Sequence, residues 1–279
     1  MSEFMLGNEP VIRFVFSVAI FALVASGEAL FPRRVQQIGR LVRWPSNLGL
    51  VVLNAVLVRI LLPTAAVGLA MITEARGWGL LNAIALPVWL TLPLAVVALD
   101  LAIYLQHVVF HAVPALWRLH RMHHADLEFD VTTGLRFHPV EIALSMAIKL
   151  LVIAALGPSA LAVLVFEVLL NATSMFNHGN VALPRGVDRV LRWIVVTPDM
   201  HRVHHSIHPA ETNSNFGFNL PWWDCLLGTY RAQPRDGHEG MTIGIEQFRT
   251  PHDLRLDRML IQPLRGPASG YPINREMPL

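Results

Sequence analysis

Five apolar segments constrain the fold of this chain more than any other feature of its sequence. They cover residues 10–31, 48–73, 80–113, 141–156 and 159–177, and a helix of about 20 residues crosses a hydrocarbon layer of roughly 30 Å. The 279 residues are 53% hydrophobic and only 15% charged, with a mean hydropathy of +0.46. The chain is therefore expected to be an all-α integral membrane protein with about four to five membrane-embedded helices.

The first apolar segment can be read as a removable signal peptide or as a membrane span. It has no basic region in front of it, and its apolar part is longer than a signal peptide requires, so a span is favoured. The following loop, PRRVQQIGRLVRWPSN, contains Arg33, Arg34, Arg40 and Arg43 and no acidic residue. Because basic loops face the cytoplasm, this loop is expected inside the cell and the N-terminus outside.

Segments 141–156 and 159–177 are joined only by GPS at residues 157–159. Such a short connection predicts an antiparallel hairpin that returns to the side it left. The polar segment 114–140 and all residues from His178 onward should then lie on the cytoplasmic side. The sequence thus predicts two membrane hairpins and a cytoplasmic, histidine-rich helical cap.

Composition excludes several classes of protein and site. A single cysteine, Cys225, rules out an intrachain disulfide framework and a cysteine-based zinc site. The formal charge is only +2, and the basic residues gather in a few loops, so nucleic acid is not an expected partner.

Histidines recur at helical spacing in the polar segments. A pair four residues apart occurs in QHVVFH, and the triplet His-x-x-His-His occurs twice, in HRMHH and HRVHH. Residues spaced i, i+3 and i+4 share one face of a helix. With one histidine in RFHPVE and one in FNHGN, ten imidazoles are expected on one side of the membrane. These ten are His107, His111, His120, His123, His124, His138, His178, His201, His204 and His205.

Ten imidazoles exceed the four to six ligands of a single ion, so the count indicates two metals. Imidazole alone does not distinguish zinc, iron, copper and nickel. The chain contains no His-Glu-x-x-His motif of zinc hydrolases and no Glu-x-x-His pairs of a soluble diiron bundle. An all-histidine, two-metal site at a membrane surface favours iron that activates O₂ for attack on a C–H bond of a lipid.

These motifs resemble those of the fatty acid hydroxylase and sterol desaturase superfamily, whose members carry His-x₃-His followed by two His-x-x-His-His motifs. The similarity also includes RFHPVE, NHGNVALPRGVDRVLRWIVVTPDMHRVHHS and ETNSNFGFNLPWWDCLLGTYR, and it covers roughly residues 95–232. The resemblance implies a helical membrane protein with a cytoplasmic cap over two iron ions, zinc being a possible substitute. It also implies the use of O₂ and of electrons from a reduced carrier.

The resemblance assigns ligand roles residue by residue. The eight histidines of the three motifs, His107, His111, His120, His123, His124, His201, His204 and His205, match the family's metal-binding and catalytic positions. His138 and His178 match further positions, and one of them could orient a ligand instead of binding metal. His208, His238 and His252 lie outside the pattern.

Polar residues near the histidines and in the apolar segments also carry expectations. Asp126, Asp199, Glu211, Asn215 and Asp224 are candidate acceptors for imidazole N–H groups. Lys149 and Glu167 lie equally far from the GPS turn and are predicted to pair. Arg59 and Asp100 have two open interpretations, a polar contact or snorkelling and a role in a substrate channel. Trp222, Trp223 and Tyr230 are expected to anchor the protein at the membrane surface.

Three regions follow from these patterns. Residues 1–94 are expected to form a transmembrane hairpin and an entry helix, residues 95–232 the histidine-rich catalytic region with the membrane hairpin 141–177, and residues 233–279 a cytoplasmic tail, loosely ordered from residue 265. An alanine- and arginine-rich composition suggests a bacterial inner membrane, with the metal site on the cytoplasmic face.

The function favoured by the sequence is that of a membrane di-iron oxygenase that hydroxylates or desaturates a lipid. The substrate stays open among fatty acyl, sphingolipid, sterol, hopanoid and ether lipids. The electron donor is expected to be a separate protein such as a cytochrome b5-like protein or a ferredoxin. The alternatives are a metal transporter or sensor, disfavoured because the apolar segments contain no ligands below His107, and a structural protein with a degenerate site.

Overall fold

The computed structural model describes residues 2–62, 65–84, 86–268 and 270–273. Within these ranges the chain is helical, and its β-structure consists of two isolated bridges, Pro32 with Val181 and Ser206 with Ile243. The helices are α1 (Ser2–Gly7), α2 (Glu9–Leu30), α3 (Arg40–Leu61), α4 (Ala65–Arg76), α5 (Leu80–Ala83), α6 (Val88–Ala112), α7 (Pro114–His124), α8 (Pro139–Leu156), α9 (Ala160–Asn177), α10 (Arg185–Leu191), α11 (Pro198–His204), α12 (Pro209–Thr212), α13 (Trp222–Leu227), α14 (Gly237–Gly240) and α15 (Leu256–Ile261). Short 3₁₀ turns cover Thr133–Leu135, Pro251–Leu254 and Gln262–Leu264.

Five helical stretches in the described ranges are long and apolar enough to cross a membrane. They are Glu9–Leu30, Arg40–Ala83, Trp89–Ala112, Pro139–Leu156 and Ala160–Asn177. This confirms the predicted all-α membrane architecture. The second stretch contains α3, α4 and α5 and includes the apolar segment expected as a span over residues 48–73.

The predicted third span over residues 80–113 consists of two helices instead of one. Helix α5 ends at Ala83, and α6 begins after Pro87. Helix α6 alone is about 37 Å long at 1.5 Å per residue, which is enough to carry its C-terminal end, with two of the candidate ligands, beyond the hydrocarbon layer.

The loop used to assign the cytoplasmic side is shorter and less basic than predicted. Helix α3 begins at Arg40, so only two of its four arginines precede the helix. Arg43 is fully buried and pairs with Asp126 and Asp130, and Arg40 pairs with Glu28. Because these two charges are neutralised within the protein, they add little to the positive-inside argument.

Helices α8 and α9 form the predicted hairpin. Helix α8 ends in Gly157 at φ 62°, and the Ser159 side chain caps α9 by accepting from the Ala162 N–H. A Cβ atom on Gly157 would lie 2.1 Å from the Trp78 carbonyl oxygen, so only glycine permits this close approach. The hairpin turn therefore packs against the loop before α5, at the end of the molecule opposite the histidines.

The charges within the membrane hairpin have partners. Lys149 Nζ lies 2.9 Å from Glu167, which confirms the predicted pair, and Arg13 of α2 also contacts Glu167 at 2.8 Å. Asp100 is buried and accepts hydrogen bonds from the Trp223 indole (2.8 Å) and from the backbone that precedes α13. Arg59 is exposed near the end of α3. Asp100 thus makes polar contacts between helices, which was the first of the two interpretations for this residue.

Residues 265–268 and 270–273 of the C-terminal segment pack against the protein, contrary to the expected loose tail. Tyr271 is buried and stacks on Trp117 at 5.5 Å, and its backbone carbonyl accepts a hydrogen bond from the Asn213 side-chain amide. The Ile273 N–H donates to the His111 carbonyl. Buried apolar contact outweighs the turn-rich composition that suggested disorder. Residues 274–279 lie outside the described ranges.

Candidate metal centre

Nine of the ten candidate histidines come together in two compact, buried groups. The five-histidine group contains His107, His111, His120, His124 and His204, and the four-histidine group contains His123, His178, His201 and His205. Within each group, one ligand atom from every residue lies within 4.8 Å of all the others. The pair and both triplets are thereby combined into two potential ion sites.

Each triplet contributes to both groups. His120 and His124 of α7 point into the five-histidine group, whereas His123 points into the other. In the second triplet, His204 and His205 are likewise divided between the groups. Residues four apart share a helix face and adjacent residues do not, so the His-x-x-His-His spacing serves two ions at once.

The distances between imidazole nitrogens suit metal ligation. The Nε2 atom of His107 lies 3.0 Å from Nε2 of His120 and 3.1 Å from Nε2 of His204. Nε2 of His178 lies 3.2 Å from that of His123 and 3.1 Å from that of His201. Nitrogens at about 2.1 Å from one ion lie roughly 3.0 Å apart at right angles and 4.2 Å apart when opposite. Both groups therefore have the dimensions of a nitrogen cage around an ion.

In the five-histidine group, oxygen atoms fix the ring orientation of four members. Each Nδ1–H donates to an oxygen, which leaves the Nε2 lone pair free to bind a cation. The contacts are His107 to the Phe216 carbonyl (2.8 Å), His204 to the Ser214 carbonyl (2.7 Å), His111 to Asn213 Oδ1 (3.0 Å) and His120 to Glu141 Oε1 (2.6 Å).

In the four-histidine group, backbone carbonyls and aromatic rings hold the imidazoles. His178 Nδ1 contacts the Ser174 carbonyl at 2.7 Å, and His123 Nδ1 contacts the Arg136 carbonyl at 3.3 Å. The Phe137 ring stacks on His123 at 4.5 Å. This group is thus held by backbone and apolar contacts in place of a carboxylate.

Within the two groups, several imidazole nitrogens are buried without a hydrogen-bond partner among the described residues. They are His111 Nε2, His124 Nδ1, His201 Nδ1 and both ring nitrogens of His205. An unpaired buried polar atom costs about 1–3 kcal/mol, and a bound cation would satisfy such atoms. The donor set, its spacing and these unpaired nitrogens fit two metal ions, one in each group.

Burial keeps the imidazoles neutral. Desolvation is the main cause, and repulsion from neighbouring imidazoles adds to it. Together they lower the pKa of five imidazoles well below the usual value: His123, His124, His201, His204 and His205. Desolvation also lowers the pKa of His178 to about 3. Metal ligation requires unprotonated imidazole, so these histidines are prepared for it near neutral pH.

The structure does not bring His138 to either group. Its Nδ1 caps helix α8 by accepting from the Val140 N–H, and its Nε2 contacts the Leu260 carbonyl. Both ring nitrogens are thus occupied by backbone. His208 contacts Asp236 near the surface, and His238 and His252 also lie outside both groups.

The five residues predicted to accept imidazole N–H bonds have other partners. The prediction is wrong for them because nearby cations and backbone groups engage their oxygens. The partners are Arg43 for Asp126, Arg202 and Arg33 for Asp199, the Arg235 N–H for Glu211, the Arg231 N–H for Asn215, and the Phe216 and Gly217 N–H groups for Asp224. Asp224 acts one step further away, because it holds the segment whose Phe216 carbonyl contacts His107.

Sequence reasoning missed Glu141 and Asn213, the side chains of the described residues that accept hydrogen bonds from imidazoles of the two groups. Glu141 is a carboxylate in the first turn of a mostly apolar membrane helix. Its cost of burial in such a helix was a signal that it had a partner. Asn213 belongs to the segment ETNSNFG, whose several amides do not distinguish it from its neighbours.

A cavity of about 310 Å³ opens beside the five-histidine group. His107 and His120 form the wall of the cavity on the side of the candidate metal centre. Among the described residues, none from the four-histidine group lines the cavity. The cavity continues between α3, α6, α8 and α9 past Ile103, Met146 and Leu170 to the charged cluster Lys149, Glu167 and Arg13. The five-histidine group therefore has access to a largely apolar space at the depth of the membrane helices.

Ionic contacts brace the other side of the centre. The Arg43 guanidinium donates two hydrogen bonds to Asp126 (2.8 and 2.7 Å), immediately after the first triplet. Burial disfavours the Asp126 carboxylate, but Arg43 and Arg136 outweigh it and lower the pKa of that group. Arg121 binds the carbonyls of Gln262, Arg265 and Pro267, so the C-terminal segment packs over α7.

Comparisons with known proteins agree with this geometry. Residues 92–229 match the family model described as fatty acid hydroxylase. The chain is 33% identical over 142 residues to the ornithine lipid hydroxylase OlsE of Rhizobium tropici. The aligned region covers 51% of this chain and 42% of the relative. It is 28% identical over 165 residues to the alkylglycerol monooxygenase of Xenopus tropicalis, covering 57% of this chain and 34% of the relative.

A third relative is the cholesterol 25-hydroxylase of Rattus norvegicus, 30% identical over 140 residues, which covers 48% of this chain and 45% of the relative. The chain spans less than half the length of these three relatives. No solved structure gives a significant match.

Proposed function

Because this chain belongs, through residues 92–229, to the fatty acid hydroxylase superfamily, we propose that it is a di-iron oxygenase that hydroxylates a lipid. The single observation that carries the proposal is the contact between the five-histidine group and a largely apolar cavity, through His107 and His120. A metal site that only stored or passed ions would need no such cavity.

The proposed reaction converts a C–H bond to C–OH. One atom of O₂ enters the lipid and the other leaves as water, with two electrons supplied by a reduced carrier and two protons taken from the solvent. Bound iron would supply the activation of O₂. The five-histidine group would hold the ion that faces the substrate and the four-histidine group the second ion. Desaturation of the same carbon chain is the variant reaction in which hydrogen is removed without oxygen insertion.

The residues of the chain contribute positioning and exclusion of water. Glu141 and the carbonyls of Phe216 and Ser214 hold three imidazoles with their Nε2 atoms turned inward. The cavity wall is mainly apolar, with Ile103 and Phe110 among its residues, so a hydrocarbon chain would be bound and water displaced. An acyl, alkyl or sterol substrate would enter from the bilayer.

The proposed orientation places the histidine groups on the cytoplasmic face of a bacterial inner membrane. Arg33 is neutralised by Asp199 and Glu239, so support comes from Arg34, which donates to backbone carbonyls, and from the hairpin that returns the chain to the histidine side. A soluble electron donor would have access to that face.

A metal transporter or sensor has less support. Transport requires ligands through the depth of the membrane, whereas both histidine groups of the described chain lie at one end of the helices. Lipid oxidation is the property that distinguishes the two functions.

The test compares lipids from a host expressing the wild-type chain and from one expressing His204→Ala. We expect lipid masses increased by 16, or decreased by 2 for desaturation, in the wild type only, together with about two irons per purified chain. His208→Ala, which alters a surface histidine, is the matched control and should behave as wild type. Unchanged lipids in a wild-type protein that binds two irons and is supplied with a reductant would overturn the proposal.

A further inference from the structure

One wall of the cavity carries a line of polar side chains. Glu141, Ser145 and Lys149 follow one another at four-residue intervals along α8 and all line the cavity. Residues at this spacing share one helix face. Polar groups in a membrane helix are costly and commonly functional. Ser145 accepts from Gln106 and Lys149 pairs with Glu167, so Glu141 is the member of this line with an oxygen left for a ligand.

Three acceptor atoms in the cavity wall lack a partner within the described part of the chain. They are Oε2 of Glu141, Oδ1 of Asn54 and Oε1 of Gln106. Glu141 and Asn54 are more than nine-tenths buried, whereas Gln106 is only partly buried. The Asn54 amide nitrogen donates to the Phe137 carbonyl at 2.9 Å, which fixes the orientation of the amide and leaves its oxygen as the free atom. Burial without a partner is unfavourable for the oxygens of Glu141 and Asn54.

The location of these oxygens is the metal end of the cavity. The other oxygen of Glu141 contacts His120 at 2.6 Å. Asn54 is bonded to Phe137, whose ring stacks on His123 at 4.5 Å. Lys149 lies eight residues further along α8, about 12 Å away at 1.5 Å per residue. A group bound by Glu141 and Asn54 would therefore lie close to the carbon that reacts.

A carboxylate oxygen and an amide oxygen only accept hydrogen bonds, so the complementary group must be a donor. We propose that Asn54 and Glu141 bind a hydroxyl, amide N–H or ammonium group of the lipid, and that the cavity selects lipids with such a donor close to the reacting carbon. This inference rests on the proposed function and narrows its substrate class. A substrate that reacts in the middle or at the end of a bare hydrocarbon chain has no such group and is disfavoured.

The remaining cavity accommodates the rest of such a lipid. From the donor, an apolar chain would lie along Ile103, Met146 and Leu170. The charged cluster at the far end pairs internally, because Glu167 contacts both Lys149 and Arg13. The selective polar contact is thus at the metal end, where acceptors are unpaired.

The test measures equilibrium binding of two labelled probes to the full chain. The chain is loaded with redox-inert zinc and embedded in nanodiscs. Hexadecane-1,2-diol offers two hydroxyl donors, and 1,2-dimethoxyhexadecane has the same chain without a donor. We expect the diol to bind wild-type protein at least about tenfold more tightly than the dimethoxy compound. Because both probes are compared on the wild type, this result does not depend on the folding of a variant.

Substitutions then identify the residue. Asn54→Leu should reduce the preference for the diol to about threefold or less, whereas Asn54→Gln, which keeps both an amide oxygen and an amide N–H donor, should retain more of the preference than Asn54→Leu. Leu151→Ala, on the exposed side of the same helix as Glu141, is the control and should leave the preference unchanged.

Equal binding of both probes to the wild type, or a preference that survives Asn54→Leu, would overturn the inference. Either result would leave the proposed function standing if the iron-loaded chain still oxidised lipids. Failure of the proposed function has a different signature, which is preferential diol binding by a chain that oxidises no lipid.

Discussion

The two histidine groups differ in their surroundings more than in their ligands. The five-histidine group includes two residues of the cavity wall, His107 and His120, and is held partly by a carboxylate, Glu141. The four-histidine group is held by backbone carbonyls and stacked phenylalanines and does not reach the cavity through any described residue. The difference supports the proposal that similar ligand sets serve two roles, in which one ion would face the substrate and the other would be enclosed.

Adjacent histidines offer the largest test of this comparison, because His204 and His205 belong to different groups. We expect His204→Ala and His205→Ala each to reduce bound metal from about two ions to about one per chain. Each should also lower lipid turnover by at least about 100-fold, since both ions are required. Metal analysis and turnover of purified variants measure this. Loss of both ions in His204→Ala, with two ions retained in His205→Ala, would contradict the division into two groups.

The pH dependence of the free energy of unfolding tests whether the imidazoles of both groups are shielded from solvent. Burial lowers the pKa of His124 and His204 in one group and of His123, His178, His201 and His205 in the other. Below about pH 6.5 the unfolded chain binds protons that these buried imidazoles do not, so stability is lost as the pH falls. The metal-free protein should lose about 1 kcal/mol per imidazole between pH 7 and pH 5.5. Chemical unfolding at several pH values checks this, and a flat profile would show that the imidazoles are solvated.

Glu141→Gln addresses the group that faces the cavity. The substitution removes the negative charge that holds His120, and comparable changes cost about 10–100-fold in metal affinity or activity. We expect one ion to be released at lower chelator concentration while the other is unaffected. Equal weakening of both ions would mean that Glu141 stabilises the fold in general and not the five-histidine group. Glu128→Gln, outside both groups, is a suitable control.

Gly134→Ala addresses the enclosed group. A Cβ atom there would lie 2.4 Å from the Ser174 carbonyl oxygen and 3.0 Å from His178 Nδ1. The backbone around His178 must shift, and we expect a loss of about 1–3 kcal/mol of stability with weaker metal binding in the four-histidine group. Thermal unfolding and metal analysis measure the two effects. A variant with normal stability and two tightly bound ions would contradict the tight packing of this group.

The smallest expected effect concerns the charged cluster at the far end of the cavity. Because Glu167 contacts both Lys149 and Arg13, Glu167→Gln should destabilise the protein less in a Lys149→Met background than in the wild type. We expect a coupling of about 1 kcal/mol, reduced by the remaining Arg13. Additive effects in a double-mutant cycle would show that the pair contributes nothing.

The sequence predicted much of the candidate centre, because helical spacing places His120 with His124 and His201 with His205. It did not predict which ion each histidine faces. His123 and His124 are neighbours, and their division depends on how α7, α9 and α11 pack. Nor did it predict the burial of Arg43 by Asp126 and Asp130, since ion pairs distant in sequence leave no periodic signal. The packing of residues 270–273 was missed because it depends on a tertiary contact between Tyr271 and Trp117.

The most direct test of the two-role account is a crystal structure of the iron-loaded protein with a bound diol lipid, using anomalous scattering at the iron edge. We predict two iron peaks, one in each histidine group, with the lipid in the cavity and its nearest carbon closer to the iron held by His107 and His120. A single iron peak, or a lipid bound next to the four-histidine group, would contradict the account.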